Sequence, residues 1–335
     1  MSATPNPDLN RVHLSVQEAG QLAQTTLLRI GYTEENARIV SDHLVAAALC
    51  GYEYSGLPKI LEIAESAKAR QPTHPMKVLK ETSVSTLFDG GNHVGMVTLF
   101  HATNTVIEKA QTHGFGLVGV TNSWMSGRGA YYMEKIARAG LIAIHTVSSA
   151  NLVAPHGGAK ATMGTNPMSF GFPGEPNPLV IDMGTSAFMG TELGFYIRRG
   201  ELLPEGVAID RYGQPTRDPE EARTGALLSL AGHKGFALSM AMKALGILAG
   251  SHLNAAKDYG YLLIAFKPDL LITLDEYKAA LAEMIARVKG TPRLPGVEEI
   301  RIPSENSFRN FQANSQSGIA IDRHIHASLL ALGAA

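Results

Sequence analysis

The sequence predicts an α/β protein in which short strands alternate with amphipathic helices around a layered core, and three observations support this fold class. From Ser83 onward, apolar runs of strand length alternate with stretches of helical periodicity, the pattern of α/β layers. The 335 residues, 45% hydrophobic and 18% charged, can bury a sizeable core. The chain opens with helical patterns and no strand, so we expect a helical segment before the sheet.

Each element follows from a local signal. Ser15 and Glu18 have capping-box spacing and start a helix that runs to about Gly31. The other predicted helices cover 34–50, a segment beginning near Leu57, 96–113, 129–139, 235–250, 273–288 and 321–332. The predicted strands cover 84–88, 115–121, 141–147, 179–181, 261–266 and 298–302.

Composition excludes several classes of protein. The formal net charge of -1 argues against broad electrostatic binding to nucleic acid or to an anionic membrane. No apolar stretch reaches the length of a membrane span, and the polar residues 1–10 do not resemble a signal peptide. The single cysteine, Cys50, cannot form an intrachain disulfide, which fits a reducing compartment. We therefore expect a cytoplasmic protein.

Two familiar cofactor and metal motifs are rejected. Gly114, Gly116 and Gly119 have the spacing of a dinucleotide-binding fingerprint, but that fingerprint needs a strand before it and a helix after it, and here the predicted order is reversed. Gly114 is better explained as the C-cap of a helix. His324 and His326 have no evident third ligand, so we predict no metal site.

Three segments remain as candidates for binding. Asp182 to Ser186 follows the apolar run 179–181 and resembles a strand end leading into a helix start, where Thr185 or Ser186 could cap the helix and free amides suit a phosphate; a simple turn at Asp182 is the equal alternative. Gly232-His233-Lys234-Gly235 opens a helix, and its lysine could meet a phosphate or a carboxylate. The competing interpretation is a solvated loop lysine.

The third segment covers 122–129, between a predicted strand and a predicted helix. It lies beyond the carboxyl end of its strand, where α/β proteins place ligands. It contains Trp124, the only tryptophan, and Arg128. The alternative is a core tryptophan and a surface arginine.

Taken together and in this order, these segments resemble the type 2 malate/L-lactate dehydrogenase family over about residues 13–333. That family includes ureidoglycolate dehydrogenase, diketogulonate reductase, sulfolactate dehydrogenase and the piperideine- and pyrroline-2-carboxylate reductases. The pieces that carry the resemblance are Gly164-Thr165-Asn166-Pro167, Ile181-Asp182-Met183, Leu203-Pro204 to Asp210, Gly213 to Asp218-Pro219, and Gly232-His233-Lys234-Gly235.

The resemblance implies a nicotinamide-binding fold that is not a Rossmann domain, with a mixed sheet and with helices at both ends of the chain. It implies a homodimer and NAD or NADP as cofactor, without deciding between them. The residues that it implies for cofactor binding are Asp182, Met183, Gly184, Thr185, Ser186, His233, Lys234, Ser304 and Glu305. Those implied for the substrate are Tyr54, Lys59, Met125, Arg128, Thr165 and Asn166.

This sequence departs from the family at two positions. The family usually has Ser-His-Gly after the second helix, with the histidine as proton donor and an arginine a few residues on; here Ser55 takes the place of the histidine and Lys59 that of the arginine. A second histidine of the family is replaced by Met125. Reduction of a ketone benefits from a placed acid, whereas a protonated cyclic imine already carries the charge that accepts hydride. The loss of histidine therefore favours a C=N substrate.

The sequence thus predicts an NAD(P)H-dependent oxidoreductase that reduces a small 2-oxo acid or cyclic 2-imino acid, or oxidises the 2-hydroxy acid in the reverse direction. Lys59 and Arg128 would anchor the carboxylate, Ser55 with Tyr131 or another neighbour would handle protons, and Asp182 would orient a donor. The alternative is a paralogue that keeps the cofactor site without dehydrogenase activity.

The expected organisation has four parts. Residues 1–12 form a flexible tail, and 13–80 a helical segment that packs with the C-terminal part. Residues 81–250 form the central cofactor-binding domain, and 251–335 an α/β segment that completes the first domain.

Overall fold

The structure, a computed structural model, describes residues 10–66, 68–69, 71, 73–253 and 258–334. Its strands are β1 (Arg11–Leu14), β2 (Lys77–Glu81), β3 (Ser85–Asp89), β4 (Phe115–Thr121), β5 (Ile142–Ser148), β6 (Met168–Phe172), β7 (Leu179–Met183), β8 (Ala208–Ile209), β9 (Ala226–Leu227), β10 (Gly260–Phe266) and β11 (Ile319–Asp322). Its helices are α1 (Val16–Arg29), α2 (Glu34–Leu49), α3 (Lys59–Glu65), α4 (Gly95–His113), α5 (Gly129–Arg138), α6 (Gly190–Arg199), α7 (Pro219–Thr224), α8 (His233–Leu248), α9 (Leu274–Lys289), α10 (Glu305–Ser317) and α11 (Arg323–Ala334).

Two compact units divide the chain. The helical unit consists of the described residues before Thr73 and those from Ser304 onward, and the sheet unit covers Thr73–Pro303. This division assigns 251–303 to the sheet unit, because β10 lies in the middle of its sheet, whereas the sequence grouped that segment with the first domain. Of the expected tail over 1–12, residues 1–9 lie outside the described residues, and Arg11 and Val12 belong to β1.

The helical unit contains a small antiparallel pair of strands, β1 and β11. The expectation that the chain opens without a strand is therefore wrong, because the partner of β1 lies at the other end of the sequence. The same pairing removes 321–322 from the predicted last helix, which begins at Arg323. The predicted capping box of α1 is confirmed, since the Ser15 hydroxyl accepts from the Glu18 amide at 3.2 Å.

The sheet unit is built on a seven-stranded mixed sheet in the order β2-β3-β4-β10-β5-β6-β7. Only β3 and β4 run parallel among these neighbours. Gly116 and Gly171 lie on one face, against α4 and α5, where a Cβ would come within 2.6 and 2.7 Å of helix carbonyl oxygens. Gly119 lies on the other face against Ala249 at the end of α8. The predicted mixed α/β architecture is confirmed as three layers with helices on both faces.

The structure corrects two more predictions. The segment 298–302 alternates like a strand but has no ladder partner among the described residues, so that strand is wrong. No helix starts at Thr185 or Ser186; α6 begins at Gly190, with Met189 at its N-cap. The reversed order around Gly114 is confirmed: α4 ends there with a left-handed φ of 82° and β4 follows.

Candidate functional site

Four strands of the mixed sheet end at the same edge. β3 and β4 are parallel, and the antiparallel pairings β4-β10-β5 and β5-β6-β7 give β5 and β7 the same direction as β4. Ligands of open α/β sheets bind outside the carboxyl ends of strands. The candidate segments 122–129 and Asp182–Ser186 both follow such ends, so the topology brings two predicted segments to one edge.

Asp182, at the end of β7, joins three elements through its carboxylate. Oδ2 accepts from the backbone amide of Ala130 at 2.8 Å, and Oδ1 accepts from the Ser169 hydroxyl at 2.7 Å. No residue at the start of α5 caps the helix with its own side chain, so a carboxylate from β7 supplies that cap. A Cβ at Gly129 would lie 2.3 Å from Ser169 Oγ, which explains the glycine.

Thr185 packs directly against the start of α8. Its carbonyl accepts from the Leu230 amide at 3.0 Å, and its own amide donates to the Thr165 carbonyl at 2.9 Å. A Cβ at Gly235 would lie 2.8 Å from the Thr185 carbonyl oxygen, so only glycine permits this approach. Ser186 donates to the Phe188 carbonyl at 2.7 Å. The structure therefore joins three segments that the sequence analysis singled out, at Thr165, Thr185 and Gly232–Gly235.

The start of α8 is open. Gly232 has φ 62° and ψ -121°, and no side chain caps the first turn among the described residues. His233 and Lys234 are exposed, and the rings of His233 and His156 have centroids 6.1 Å apart. Uncapped amides and a helix dipole, next to an exposed lysine, form an arrangement that suits an anion.

Asn166, predicted to bind substrate, is completely buried. Its side-chain oxygen accepts from the Ser149 amide at 3.0 Å, and its NH₂ group donates to the Ser239 hydroxyl at 2.9 Å. Because the oxygen and the NH₂ group of its side chain are both hydrogen-bonded within the protein, Asn166 fixes the loop between β5 and β6 against α8. Its role as a substrate contact stays a prediction.

Both cations that were predicted to anchor a carboxylate already have a carboxylate partner. Arg128 Nη2 lies 2.6 Å from Glu134 Oε1, with both side chains largely buried. Lys59, in the helical unit, pairs with Glu62 one turn along α3, and its side chain is 3% exposed. A substrate carboxylate would have to share these cations with a glutamate, a competition that sequence reasoning did not foresee.

The remaining predicted residues are distributed over both units. In the helical unit, Tyr54 and Ser55 lie in a half-buried 3-10 turn, Ser304 precedes α10, and Glu305 pairs with Arg309 at 3.1 Å. The sheet unit holds the others. Met125 is half-buried with φ 57°, and Tyr131 is half-buried in the first turn of α5. Met183 lies at the end of β7, and Gly184 lies beside Met189.

Sequence reasoning missed a buried histidine on β5, two strands away from Asp182. His145 is 1% exposed, and burial lowers its pKa, although the Leu262 carbonyl and Asp182 raise it in part. Its ring lies edge-on to Tyr132, with centroids 5.9 Å apart. Tyr132 donates to the Ser126 carbonyl at 2.6 Å. The alternation within the predicted strand 141–147 could have placed His145 on an inner face.

Metal binding and membrane insertion find no support in the described residues. These residues contain no group of three or more histidine, cysteine, aspartate or glutamate side chains placed to hold a metal ion. No helix among them is both long and apolar enough to cross a bilayer.

Comparison with known proteins decides the family. The model of the malate/L-lactate dehydrogenase family matches residues 14–330. The chain belongs to the malate/L-lactate dehydrogenase family. The resemblance drawn from the motifs is thereby confirmed, while the divergence at the family's histidines stays a prediction. The chain is 32% identical to a malate dehydrogenase of Pyrococcus abyssi, covering 95% of this chain and 93% of that protein.

Other relatives of this family carry different activities. A Pseudomonas aeruginosa Delta(1)-pyrroline-2-carboxylate/Delta(1)-piperideine-2-carboxylate reductase is 29% identical over 96% of this chain and 99% of its own length. Among solved structures, malate dehydrogenase from Entamoeba histolytica matches with a TM-score of 0.89 and 26% identity, covering 97% of this chain and 98% of that one. Malate dehydrogenase from Pyrococcus horikoshii OT3 matches with a TM-score of 0.87 and 29% identity over 100% and 98%. The relatives are dehydrogenases and reductases, so the family is one of oxidoreductases.

Proposed function

We propose that this malate/L-lactate dehydrogenase family member is an NAD(P)H-dependent reductase of a small 2-oxo acid or cyclic 2-imino acid, also able to oxidise the 2-hydroxy acid. The observation that carries the proposal is the open start of α8, held against Thr185 and Thr165 at the ligand edge of the sheet. Its uncapped amides and Lys234 suit the phosphates of a dinucleotide. When bound, the nicotinamide supplies or accepts the hydride.

The chain's own residues orient the reactants and move the proton. Asp182 presents its carboxylate at this edge, held by Ala130 and Ser169. Arg128 and Lys59 would bind the substrate carboxylate, in competition with Glu134 and Glu62. Ser55, Tyr54 and Tyr131 remain the proposed hydroxyl groups for proton exchange, and Met125 a proposed substrate contact. Met183, Gly184, Ser186, His233, Ser304 and Glu305 remain proposed cofactor contacts.

The test is a binding and turnover assay on the purified chain. We expect NADH or NADPH to bind in calorimetry, and its absorbance at the nicotinamide band to fall with at least one acid among pyruvate, oxaloacetate, piperideine-2-carboxylate and pyrroline-2-carboxylate. Turnover of an imine but of no ketone would identify C=N chemistry. Binding of neither nucleotide would refute the proposal.

A second candidate is a paralogue that binds cofactor without turnover. The specific observation in its favour is that Glu134 and Glu62 already neutralise both candidate anchors. Tight nucleotide binding without consumption would support this reading. The double variant Ser55→His/Met125→His should then acquire activity, and continued inactivity would count against it.

We also propose a cytoplasmic homodimer. The side of α8 away from the sheet exposes Met240, Ile247 and Leu248 at 50%, 52% and 61%. An apolar strip of this kind on a helix favours burial against a second copy. Sedimentation of the protein should give twice the mass of the chain, and the variant Ile247→Lys/Leu248→Lys should give the monomer. The lone, buried Cys50 fits a reducing compartment.

A further inference from the structure

The carboxylate of Asp182, at the ligand edge of the sheet, is held by both of its oxygens. Oδ2 accepts from the Ala130 amide at 2.8 Å, and Oδ1 accepts from the Ser169 hydroxyl at 2.7 Å. A side chain that caps a helix N-terminus needs only one oxygen, so the bond to Ala130 accounts for the capping of α5 by itself. The bond from Ser169 therefore needs an explanation of its own.

Ser169 lies directly beside Asp182 in the sheet. The two residues are register partners on β6 and β7, and residues opposite each other in an antiparallel pair have Cβ atoms about 4.5–5.5 Å apart. Ser169 is 1% exposed, whereas Asp182 is exposed. A serine hydroxyl has one proton to donate, and here that proton goes to the carboxylate. A buried group thus fixes an exposed one.

Two hydrogen bonds, one to each oxygen, fix the orientation of the Asp182 carboxylate. The torsion that turns a carboxylate about its Cβ–Cγ bond has broad minima, so a single bond would leave the plane of the group free to turn. Gly129 permits the arrangement, because a Cβ there would lie 2.3 Å from Ser169 Oγ and 3.0 Å from Asp182 Oδ1. An ionised carboxylate has about four lone-pair sites, so the exposed group can still accept hydrogen bonds from a ligand.

We propose that Ser169 is a positioning residue for the reduction, which holds the Asp182 carboxylate in the orientation that serves the substrate or its proton donor. This proposal rests on the proposed function, in which Asp182 presents its carboxylate to the reactants. Ser169 is buried beneath the start of α5, so its effect on the reaction passes through Asp182.

One variant tests the serine, and a second controls for the loss of a buried hydroxyl. Ser169→Ala removes the bond to the carboxylate and leaves the Ala130 amide its acceptor. Ser148→Ala is the matched control, because Ser148 on β5 is 0% exposed and donates to the Asp258 carbonyl oxygen at 2.6 Å. Ser148 packs against Gly246, near the end of α8. Each variant loses one hydrogen bond of a buried serine, so both should lose similar stability in urea unfolding.

The expected result is a loss of turnover without a loss of cofactor binding. Ser169→Ala should lower the reductive kcat by about 10- to 100-fold, because a misplacement of about 1 Å at a reacting group can cost about a hundredfold. The KM for NAD(P)H should stay near its wild-type value, since the start of α8 is unchanged. Ser148→Ala should keep the wild-type kcat. Equal kcat in the two variants overturns the proposal, because the loss would then follow stability alone.

Hydrogen exchange of the Ala130 amide tests the same arrangement without turnover. Ala130 is buried, and its amide donates to Asp182 Oδ2. A carboxylate that turns more freely protects this amide less, so Ser169→Ala should speed its exchange about tenfold, whereas Ser148→Ala should not. Unchanged exchange in Ser169→Ala overturns the proposal, because the serine would then not hold the carboxylate.

Failure of this proposal and failure of the proposed function give different results. A wild-type protein that neither binds nor consumes NAD(P)H refutes the proposed function, and with it any role of Ser169 in the reaction. An active wild-type protein whose Ser169→Ala variant keeps its kcat overturns the positioning role alone.

Discussion

Helices α5 and α8 both begin near the edge of the sheet where β3, β4, β5 and β7 end, but only the first turn of α5 is capped by a side chain. The start of α5 is closed by Asp182 from β7, and its flanking Arg128 is neutralised by Glu134. The start of α8 has no side-chain cap and carries exposed His233 and Lys234. The same local feature, backbone amides at the positive end of a helix dipole, is thus satisfied by a side chain in α5, whereas no side chain among the described residues satisfies it in α8.

The largest expected effect comes from breaking the buried ion pair between Arg128 and Glu134 at α5. Glu134→Gln leaves the guanidinium of Arg128 buried without its carboxylate, and removal of one partner of a buried pair costs about 3–5 kcal/mol. Urea unfolding should show this loss. The exposed pair Arg223–Glu220, with side chains 62% and 52% exposed, is the control, and Glu220→Gln should cost less than about 1 kcal/mol. Similar losses in the two variants would show that burial does not matter at Arg128.

The second expected effect separates capping from proton transfer at Asp182. Asp182→Ala leaves the Ala130 amide and the Ser169 hydroxyl without an acceptor, and should lower the free energy of unfolding by about 1–3 kcal/mol. Asp182→Asn keeps an oxygen for the amide and should retain most of the stability while losing reductase activity. Equal stability loss in both variants would contradict the capping role, and full activity in Asp182→Asn would contradict the proton role.

The third expected effect tests the open start of α8. Lys234→Ala should weaken NAD(P)H binding about tenfold, which corresponds to about 1.4 kcal/mol, and should leave the unfolding midpoint unchanged because the side chain is exposed. Lys77→Ala, on the exposed strand β2, is the matched control. Unchanged affinity in Lys234→Ala would mean that this turn does not hold the phosphates.

The comparison of the two helices also shows what the sequence could predict. The strand 115–121 followed from an apolar run, which is a local signal, whereas the meeting of Thr165, Thr185 and the start of α8 was implied only by the resemblance to the family. The closure of α5 was not predictable in the same way. Asp182 caps its helix through the amide of Ala130, which lies 52 residues earlier, and the contact of Arg128 with Glu134 depends on how two side chains are buried together.

The missed elements have physical reasons of the same kind. β2 is exposed along its whole length, so it carries no alternation of apolar and polar residues. Helix α10 is rich in asparagine and serine, which are poor helix formers, and its Asn310 and Asn314 bind backbone carbonyl oxygens at the end of α2. The segment 298–302 had the alternation but lacks a partner strand. Tertiary contacts outweighed propensity at each of these places.

The fourth expected effect concerns the buried side chain of His145 as pH changes. Burial lowers the pKa of His145 from its usual 6.5. As pH falls below 6.5, this histidine is therefore protonated in the unfolded chain while it stays neutral in the folded protein. The free energy of unfolding should therefore fall, by at most about 1.4 kcal/mol per pH unit for this group, until pH reaches the folded-state pKa. His145→Gln should flatten this slope below pH 6.5, whereas exposed His324→Gln, the control, should keep it. An identical slope in both variants would remove His145 as its source.

The smallest expected effect uses a helix that is capped by its own N-cap residue. The Thr33 hydroxyl accepts from the Asn36 amide at 3.3 Å at the start of α2, so Thr33→Ala should lower the free energy of unfolding by about 1 kcal/mol. Cofactor affinity should not change, because this cap has only a structural role. If Thr33→Ala weakened NAD(P)H binding as much as Lys234→Ala, loss of overall stability would explain both results. The distinction between a helix N-terminus that is capped for stability and one that binds a ligand would then not hold.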